Sequence, residues 1–123
     1  MRVLVVEDEM ALADAVARGL RRQGMSVDVA YDGDEGYGKA TSHGYDVLVL
    51  DRDLPGVSGD DICRTVTAAG PPPRVILLTA STSDRDKVTG YSIGAADYIT
   101  KPFVFADLVT RVRALGPSGQ DHS

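Results

Sequence analysis

Short apolar runs in this sequence are followed closely by side chains that can take part in chemistry. Four such runs supply three carboxylates, a hydroxyl and an ammonium group, on Glu7, Asp8, Asp51, Thr79 and Lys101. Parallel strands direct their carboxyl ends to one edge of a sheet, and ligands of open α/β sheets bind beyond that edge. If the runs are strands of one parallel sheet, these five side chains meet at a single site.

The chemistry of that set points to phosphoryl transfer. Carboxylates a few ångströms apart repel by about 4 kcal/mol per pair at an effective dielectric constant of 20, so the site needs more positive charge than Lys101 provides. A small number of oxygen ligands with room for water favours Mg²⁺. A divalent cation beside an aspartate, a lysine and a hydroxyl is typical of phosphoryl-transfer sites. We therefore expect Asp51 to be the nucleophile, with Lys101 and Thr79 holding the transferred oxygens.

Hydrophobic patterning indicates the elements that must position these residues. The runs predicted to be strands are 3–6, 27–30, 47–50, 75–78 and 98–99. The stretches predicted to be helices are 10–22, 33–42, a short segment around Ile62 and Val66, 84–93 and 104–115. Strict alternation of the two kinds predicts an α/β fold, a doubly wound (βα)5 chain with a five-stranded parallel sheet.

Length and composition exclude several classes of protein. The 123 residues predict one domain, and no apolar run approaches the roughly 20 residues of a transmembrane helix. The first run breaks at Glu7, so no signal peptide is expected. A net charge of −5 disfavours nucleic-acid binding by this chain itself, and the lone Cys63 permits neither a disulfide nor a zinc cluster. A cytoplasmic protein without membrane contact is expected.

Four motifs, in this order and spacing, carry a resemblance to a known family. They are 5–9 (VVEDE), 51–59 (DRDLPGVSG), 78–80 (LTA) and 94–103 (GAADYITKPF). With them the chain resembles the receiver (CheY-like) domains of bacterial two-component response regulators over essentially residues 1–115. The resemblance implies a flavodoxin-like receiver fold with strand order 2-1-3-4-5. It sets the domain at 1–116 and leaves 117–123 as a polar tail or truncated linker.

The resemblance also implies what the acidic site does. Asp51 is expected to accept a phosphoryl group from a phosphohistidine on a sensor histidine kinase. Mg²⁺ is expected to be held by Glu7, Asp8, Asp51 and the backbone carbonyl of Asp53, so that four acidic residues gather at this edge. Other receivers often carry an uncharged residue at the position of Asp53, and we expect its extra carboxylate to alter metal affinity or the lifetime of the acyl phosphate. The protein is then a regulatory phosphoacceptor with self-catalysed phosphoryl transfer and autodephosphorylation, and not a conventional enzyme.

Thr79 and Tyr98 match the family's switch pair. On phosphorylation Thr79 is expected to move toward the phosphoryl group while Tyr98 turns inward. The glycine-flanked helix 84–93 lies between them in sequence and is the element expected to shift. The resemblance implies in addition that the bond between Lys101 and Pro102 is cis.

The last third of the chain resembles the OmpR/PhoB class of transcription factors, whose receivers form homodimers when phosphorylated. Their shared dimer face is matched here by Lys87, Asp97, Asp107 and Arg111. Lys87–Asp107 and Asp97–Arg111 are the expected intersubunit pairs, and a solvated mixed-charge surface is the alternative. Regulation of transcription would then require a DNA-binding domain that is missing from this chain.

Three other functions remain open at this stage. Asp51 and Asp53 resemble the nucleophile and the general acid of haloacid-dehalogenase-type phosphatases, although the motif follows the third predicted strand and no cap domain is evident. A flavodoxin-like electron carrier shares the predicted fold, but Glu7 and Asp8 would repel a phosphate after the first strand. An atypical receiver that works without phosphorylation is the third alternative.

Overall fold

Five strands alternate with five helices along the chain, as a computed structural model shows for residues 1–42 and 44–117. Most of the predicted tail 117–123 lies outside the described residues. The elements are β1 (Arg2–Val6), α1 (Met10–Arg22), β2 (Ser26–Ala30), α2 (Gly33–Thr41), β3 (Val47–Asp51), α3 (Gly59–Ala68), β4 (Arg74–Thr79), α4 (Asp84–Ser92), β5 (Asp97–Thr100) and α5 (Phe105–Leu115).

The strands form one parallel sheet in the order β2-β1-β3-β4-β5, which confirms the predicted topology. Its register sets the carboxyl ends of the central strands side by side. Val6 of β1 lies opposite Leu50 of β3, and Asp51 lies opposite Leu78 of β4. The residues that follow β1, β3 and β4 therefore emerge at the same edge of the sheet.

Strand side chains alternate between two faces, and helices cover both. Val3, Val5 and Ile76 lie in one buried cluster with apolar residues of α1 and α5. Leu4 and Leu48 lie in the other, with residues of α2 and α3. Burying each such side chain stabilises the fold by about 1.5–3 kcal/mol, so the strands that end at the site are firmly anchored.

Two chemically important residues belong to strands rather than to the loops after them. The apolar patterns end at Leu50 and Leu78, yet β3 continues to Asp51 and β4 to Thr79. Backbone pairing extends past the last apolar side chain, because the ladder needs only peptide groups. Asp51 and Thr79 are thus fixed by the sheet itself.

The helix α4 is held less firmly than the others. Among its described residues only Gly90 is buried, whereas Val88 is 68% exposed and Tyr91 48% exposed. Ser83 caps its N-terminus by accepting a hydrogen bond from the Asp86 amide. No helix within the described ranges is both long and apolar enough to cross a bilayer.

Candidate functional site

Three carboxylates meet at the carboxyl edge of the sheet, as predicted. Glu7 and Asp8 follow β1, Asp51 ends β3, and one oxygen from each lies within 4.8 Å of the others. Glu7 and Asp51 are only 1% and 4% exposed, whereas Asp8 faces solvent. The loops therefore form a carboxylate cluster with one open side.

Burial gives the cluster unusual electrostatics. Loss of solvation raises the pKa of Glu7 to about 7, against the opposing effect of its hydrogen bond from Lys101. Burial also opposes ionisation of Asp8, but its contacts with Glu7 and Asp51 lower its pKa overall. These carboxylates carry more negative charge than the neighbouring ammonium group neutralises, and their hard oxygen donors with access to water fit a small divalent cation such as Mg²⁺.

Lys101 reaches the cluster from the end of β5. Its ammonium group donates to the Glu7 carboxylate and to Asp51 Oδ2, the latter at 3.5 Å. Burial alone would lower the pKa of Lys101, but these two carboxylates raise it, so the residue stays charged. Its backbone amide donates to the Thr79 carbonyl at 2.7 Å, and the bond between Lys101 and Pro102 is cis. The backbone hydrogen bond ties the end of β5 to β4, and the Lys101 side chain reaches the carboxylate cluster from there.

The loop after β3 holds Asp51 by its backbone. The Asp53 amide donates to Asp51 Oδ1 at 2.9 Å, which orients that carboxylate. At the start of α3, Gly59 packs so closely that an added Cβ would overlap the Asp51 carbonyl oxygen. The Asp53 side chain is exposed and is not part of the carboxylate cluster. Asp53 contacts Asp51 through its backbone amide, and the expected part of its backbone carbonyl in holding a metal stays a prediction.

Thr79 and Tyr98 are joined through Ser81. Thr79 Oγ1 accepts a hydrogen bond from the Ser81 amide at 3.1 Å, and the Tyr98 hydroxyl donates to the Ser81 carbonyl at 3.2 Å. The Tyr98 ring is already buried, at 6% exposure. The ring packs beside Gly90 of α4, and the expected inward turn of Tyr98 on phosphorylation stays a prediction.

The charged residues predicted for a dimer face lie on α4, β5 and α5, and some of them form ion pairs within the chain. Arg111 bonds Asp97 at 2.7 Å and Asp107 at 3.1 Å within the same chain. Asp97 and Arg111 are close enough to pair within one chain, because Asp97 lies on β5 and Arg111 on the following helix; the intersubunit pairs stay a prediction. Lys87 has no ion pair within the described residues.

Two residues near the site have no role predicted from sequence. Ser81 connects the Thr79–Tyr98 pair, as described above. Arg52, directly after Asp51, bonds Asp60 of α3 and the backbone carbonyl of Asp86 in α4. The only signal in the sequence is a basic residue between two acidic ones, which does not reveal that its partners lie on two different helices.

Comparison with known proteins places these features in context. The response regulator receiver domain pattern matches residues 3–113. The chain is 60% identical over 116 residues to the transcriptional regulatory protein CutR of Streptomyces coelicolor, covering 94% of this chain and 54% of CutR. It is 42% identical over 120 residues to the sensory transduction protein RegX3 of Mycolicibacterium smegmatis, covering 98% and 52%. The chain thus spans about half the length of these curated relatives.

Solved structures agree on the fold. The receiver domain of Francisella response regulator 1452 matches with a TM-score of 0.87 at 32% identity, covering 93% of this chain and 94% of that one. The BeF3-activated DrrB receiver domain matches with a TM-score of 0.85 at 33% identity, covering 93% and 95%. A longer structure of DrrB, described as a Thermotoga maritima OmpR/PhoB homolog, matches with a TM-score of 0.84 at 34% identity, covering 91% of this chain and 50% of that one.

Proposed function

Because this chain belongs to the response regulator receiver domain family, and to the part of it that resembles the OmpR/PhoB class, we propose that it is a switch operated by phosphorylation of Asp51. The observation that supports this most is the position of Asp51, buried at the end of β3 beside Glu7, Asp8 and Lys101. Receivers are regulatory components of two-component systems rather than conventional enzymes. The proposed donor is the phosphohistidine of a sensor histidine kinase, met in the cytoplasm.

The chain's own residues supply the nucleophile and the groups that orient it and bind the transferred oxygens. A carboxylate oxygen of Asp51 attacks the phosphorus as the phosphorus–nitrogen bond of the donor breaks, and the donor imidazole leaves with that electron pair. The Asp53 amide keeps the Asp51 carboxylate oriented. The Lys101 ammonium group lies 3.5 Å from Asp51 Oδ2, where it can bind an oxygen of the transferred group. Thr79 supplies a hydroxyl once it leaves the Ser81 amide.

Mg²⁺ is the proposed cofactor. Glu7, Asp8, Asp51 and the backbone carbonyl of Asp53 would hold it, and it would supply neutralising charge for the phosphoryl oxygens. Glu7 and Asp8 then serve as ligands, and Lys101 can exchange its bond to Glu7 for one to the phosphoryl group.

The proposed signal leaves the site through Thr79. An acyl phosphate at Asp51 carries about −1.5 to −2 charge in place of the single negative charge of the carboxylate, and its oxygens attract the Thr79 hydroxyl. Because Thr79 and Tyr98 both bond Ser81, a move of Thr79 pulls the loop after β4 and alters the contacts of the Tyr98 hydroxyl. The α4–β5–α5 face changes as a result, drives homodimerisation, and controls transcription through a DNA-binding domain that lies outside these 123 residues.

The first test is phosphorylation by a small-molecule donor. We expect the chain incubated with acetyl phosphate and Mg²⁺ to gain one phosphoryl group by intact mass, with no gain when EDTA removes the metal. The matched control is Asp61→Asn, an exposed acid on α3, which should react like the wild type. A chain that turns over a phosphomonoester continuously, without a stoichiometric adduct, would instead be the phosphatase.

The phosphatase alternative has weaker support. It requires the Asp53 carboxyl beside the nucleophile as general acid, whereas that side chain is exposed and its amide takes the place next to Asp51. The structure favours no second function over the switch.

A further inference from the structure

Arg52 is the residue after the proposed phosphorylation site, and the mechanism above does not use it. Its side chain is only 11% exposed although it carries a permanent charge. Its backbone amide donates to the Leu78 carbonyl of β4 at 2.9 Å, and Gly59 of α3 packs against its Cα. The backbone of Arg52 is therefore held in place at the edge of the sheet.

The guanidinium group joins two helices. Nε and one terminal nitrogen of Arg52 donate to the two carboxylate oxygens of Asp60, at 2.8 and 3.2 Å. The other terminal nitrogen donates to the Asp86 carbonyl in the first turn of α4, at 2.6 Å. A planar fork that uses three of its donors in a partly buried site is well ordered, since each bond restrains the other two.

This contact matters because α4 has few others. Gly90 is its buried residue, and an added Cβ there would lie within 3.5 Å of Leu77, Tyr98 and Arg52. α4 thus rests with its backbone against the Arg52 guanidinium and the Tyr98 ring. With so little apolar surface buried, a polar clamp contributes a large share of what holds the helix.

The first turn of α4 is also connected to Thr79 and Tyr98 through Ser81. Ser81 Oγ donates to the Asp86 carboxylate at 2.6 Å, and Ser81 is the residue that Thr79 and Tyr98 share. Asp86 is therefore held from one side by the loop after β4, through Ser81, and from the other by the loop after β3, through Arg52.

We propose that Arg52 is a positioning residue that clamps the first turn of α4 to α3 and so sets how far α4 responds to phosphorylation of Asp51. The proposal rests on the phosphorylation function proposed above. Phosphorylation draws Thr79 and its loop toward Asp51, while Arg52 retains α4 on the opposite side. Without the clamp, α4 opens more readily before phosphorylation, so phosphorylation of Asp51 produces a smaller further change in α4.

Hydrogen exchange of the full chain tests the clamp without requiring phosphorylation. We expect Arg52→Met and Asp60→Asn each to speed amide exchange in α4 about tenfold, a factor that corresponds to about 1.4 kcal/mol of local opening, with α1 unchanged. Arg52→Lys keeps the charge but cannot reach both partners, and should fall between wild type and Arg52→Met. The matched control is Arg64→Met, which removes the exposed Arg64–Asp61 pair on α3, the helix that carries Asp60. It should leave amide exchange in α4 unchanged.

The same experiment after treatment with acetyl phosphate tests the coupling. At equal phosphoryl adduct by intact mass, the change in α4 exchange should fall to less than about half of its wild-type value in Arg52→Met. Wild-type α4 exchange in Arg52→Met and Asp60→Asn, with or without an adduct, would overturn the clamp while leaving the phosphorylation function intact. A wild-type chain that forms no adduct would overturn the proposed function instead, and the exchange of unphosphorylated variants would still decide whether the clamp exists.

Discussion

Glu7 is the residue whose environment says most about the site. It is 1% exposed, its pKa is raised to about 7 by burial, and its neighbours include Asp51 as well as Lys101. A carboxylate in such a position destabilises the ion-free protein, because its ionised form is better solvated in the unfolded chain. Its hydrogen bonds from Lys101 and from the Glu9 amide do not offset the loss of solvation, which is consistent with a role as a metal ligand.

Replacing that carboxylate tests the metal site through stability. We expect Glu7→Gln to increase the free energy of unfolding at pH 8 without metal by about 1–3 kcal/mol, because the amide carries no charge to desolvate. Millimolar Mg²⁺ should then stabilise the wild type but not the variant, since only the intact cluster binds the ion. Urea unfolding with Mg²⁺ and with EDTA measures both effects, and equal Mg²⁺ stabilisation of the two proteins would show that Glu7 is not a ligand.

Asp53 presents a second test at this scale. Its exposed carboxylate lies next to the proposed site of an anionic phosphoryl group, and we expect Asp53→Asn to change the half-life of the acyl phosphate by about threefold or more. The backbone amide that orients Asp51 is retained in this variant. Dephosphorylation followed by intact mass at several Mg²⁺ concentrations gives the half-lives. Identical values at every concentration would mean that the extra acid has no effect on the chemistry.

Sequence reasoning could bring these side chains together because each one lies at or just after the carboxyl end of a strand, and strand ends in a parallel sheet converge. It could not place the Asp53 carboxylate outside the cluster or find the partners of Arg52. Those outcomes depend on which way a loop residue turns and on distances between helices. Neither is encoded by spacing along the chain.

At the scale of elements, periodicity predicted best where the pattern was strongest. The helix predicted at 10–22 has those limits in the structure, because its apolar residues recur at helical spacing throughout. The helix predicted at 84–93 ends one residue earlier, at Ser92, and its polar residues and Gly90 leave it without a clear apolar face. The lack of an apolar face makes α4 hard to predict from sequence, and it also leaves the helix with few packing contacts to restrain its movement.

Two glycines of α2 give a matched test of how the elements support the site. A Cβ on Gly36 would overlap the side chain of buried Val6, the residue before Glu7, whereas a Cβ on Gly38 would meet open space. We expect Gly36→Ala to reduce the free energy of unfolding by about 1–3 kcal/mol and Gly38→Ala to increase it by up to about 1 kcal/mol. Urea unfolding of both variants decides the matter, and two shifts of the same sign would contradict the described packing of α2 on β1.

At the scale of the whole molecule, the strand order follows from alternation and from the resemblance, but the assembly does not. The sequence placed Lys87, Asp97, Asp107 and Arg111 on one face, and the structure puts two of the expected partners, Asp97 and Arg111, together within one chain. Adjacent elements of one chain and facing elements of two chains offer the same charges, so the intersubunit pairs stay a prediction.

Charge reversal on that face tests the proposed dimer. We expect Arg111→Glu to weaken association of the beryllofluoride-treated chain about tenfold or more, because three carboxylates would then stand together on β5 and α5. Arg64→Glu on α3, which lies outside the α4–β5–α5 face, is the control and should associate like the wild type. Sedimentation velocity at several concentrations measures the change. Unaltered association of Arg111→Glu would exclude this face as the dimer interface.

The most direct test of the central claim is to locate the phosphoryl group. Borohydride reduces an acyl phosphate to an alcohol, so a chain treated with acetyl phosphate and Mg²⁺, then with borohydride, is marked permanently at the phosphorylated residue. Peptide mass spectrometry should find the reduced residue at Asp51, and Asp51→Asn should remain unmarked there. A mark at Asp53, at Glu7 or at no residue of the wild-type chain would contradict the assignment of Asp51 as the phosphoacceptor.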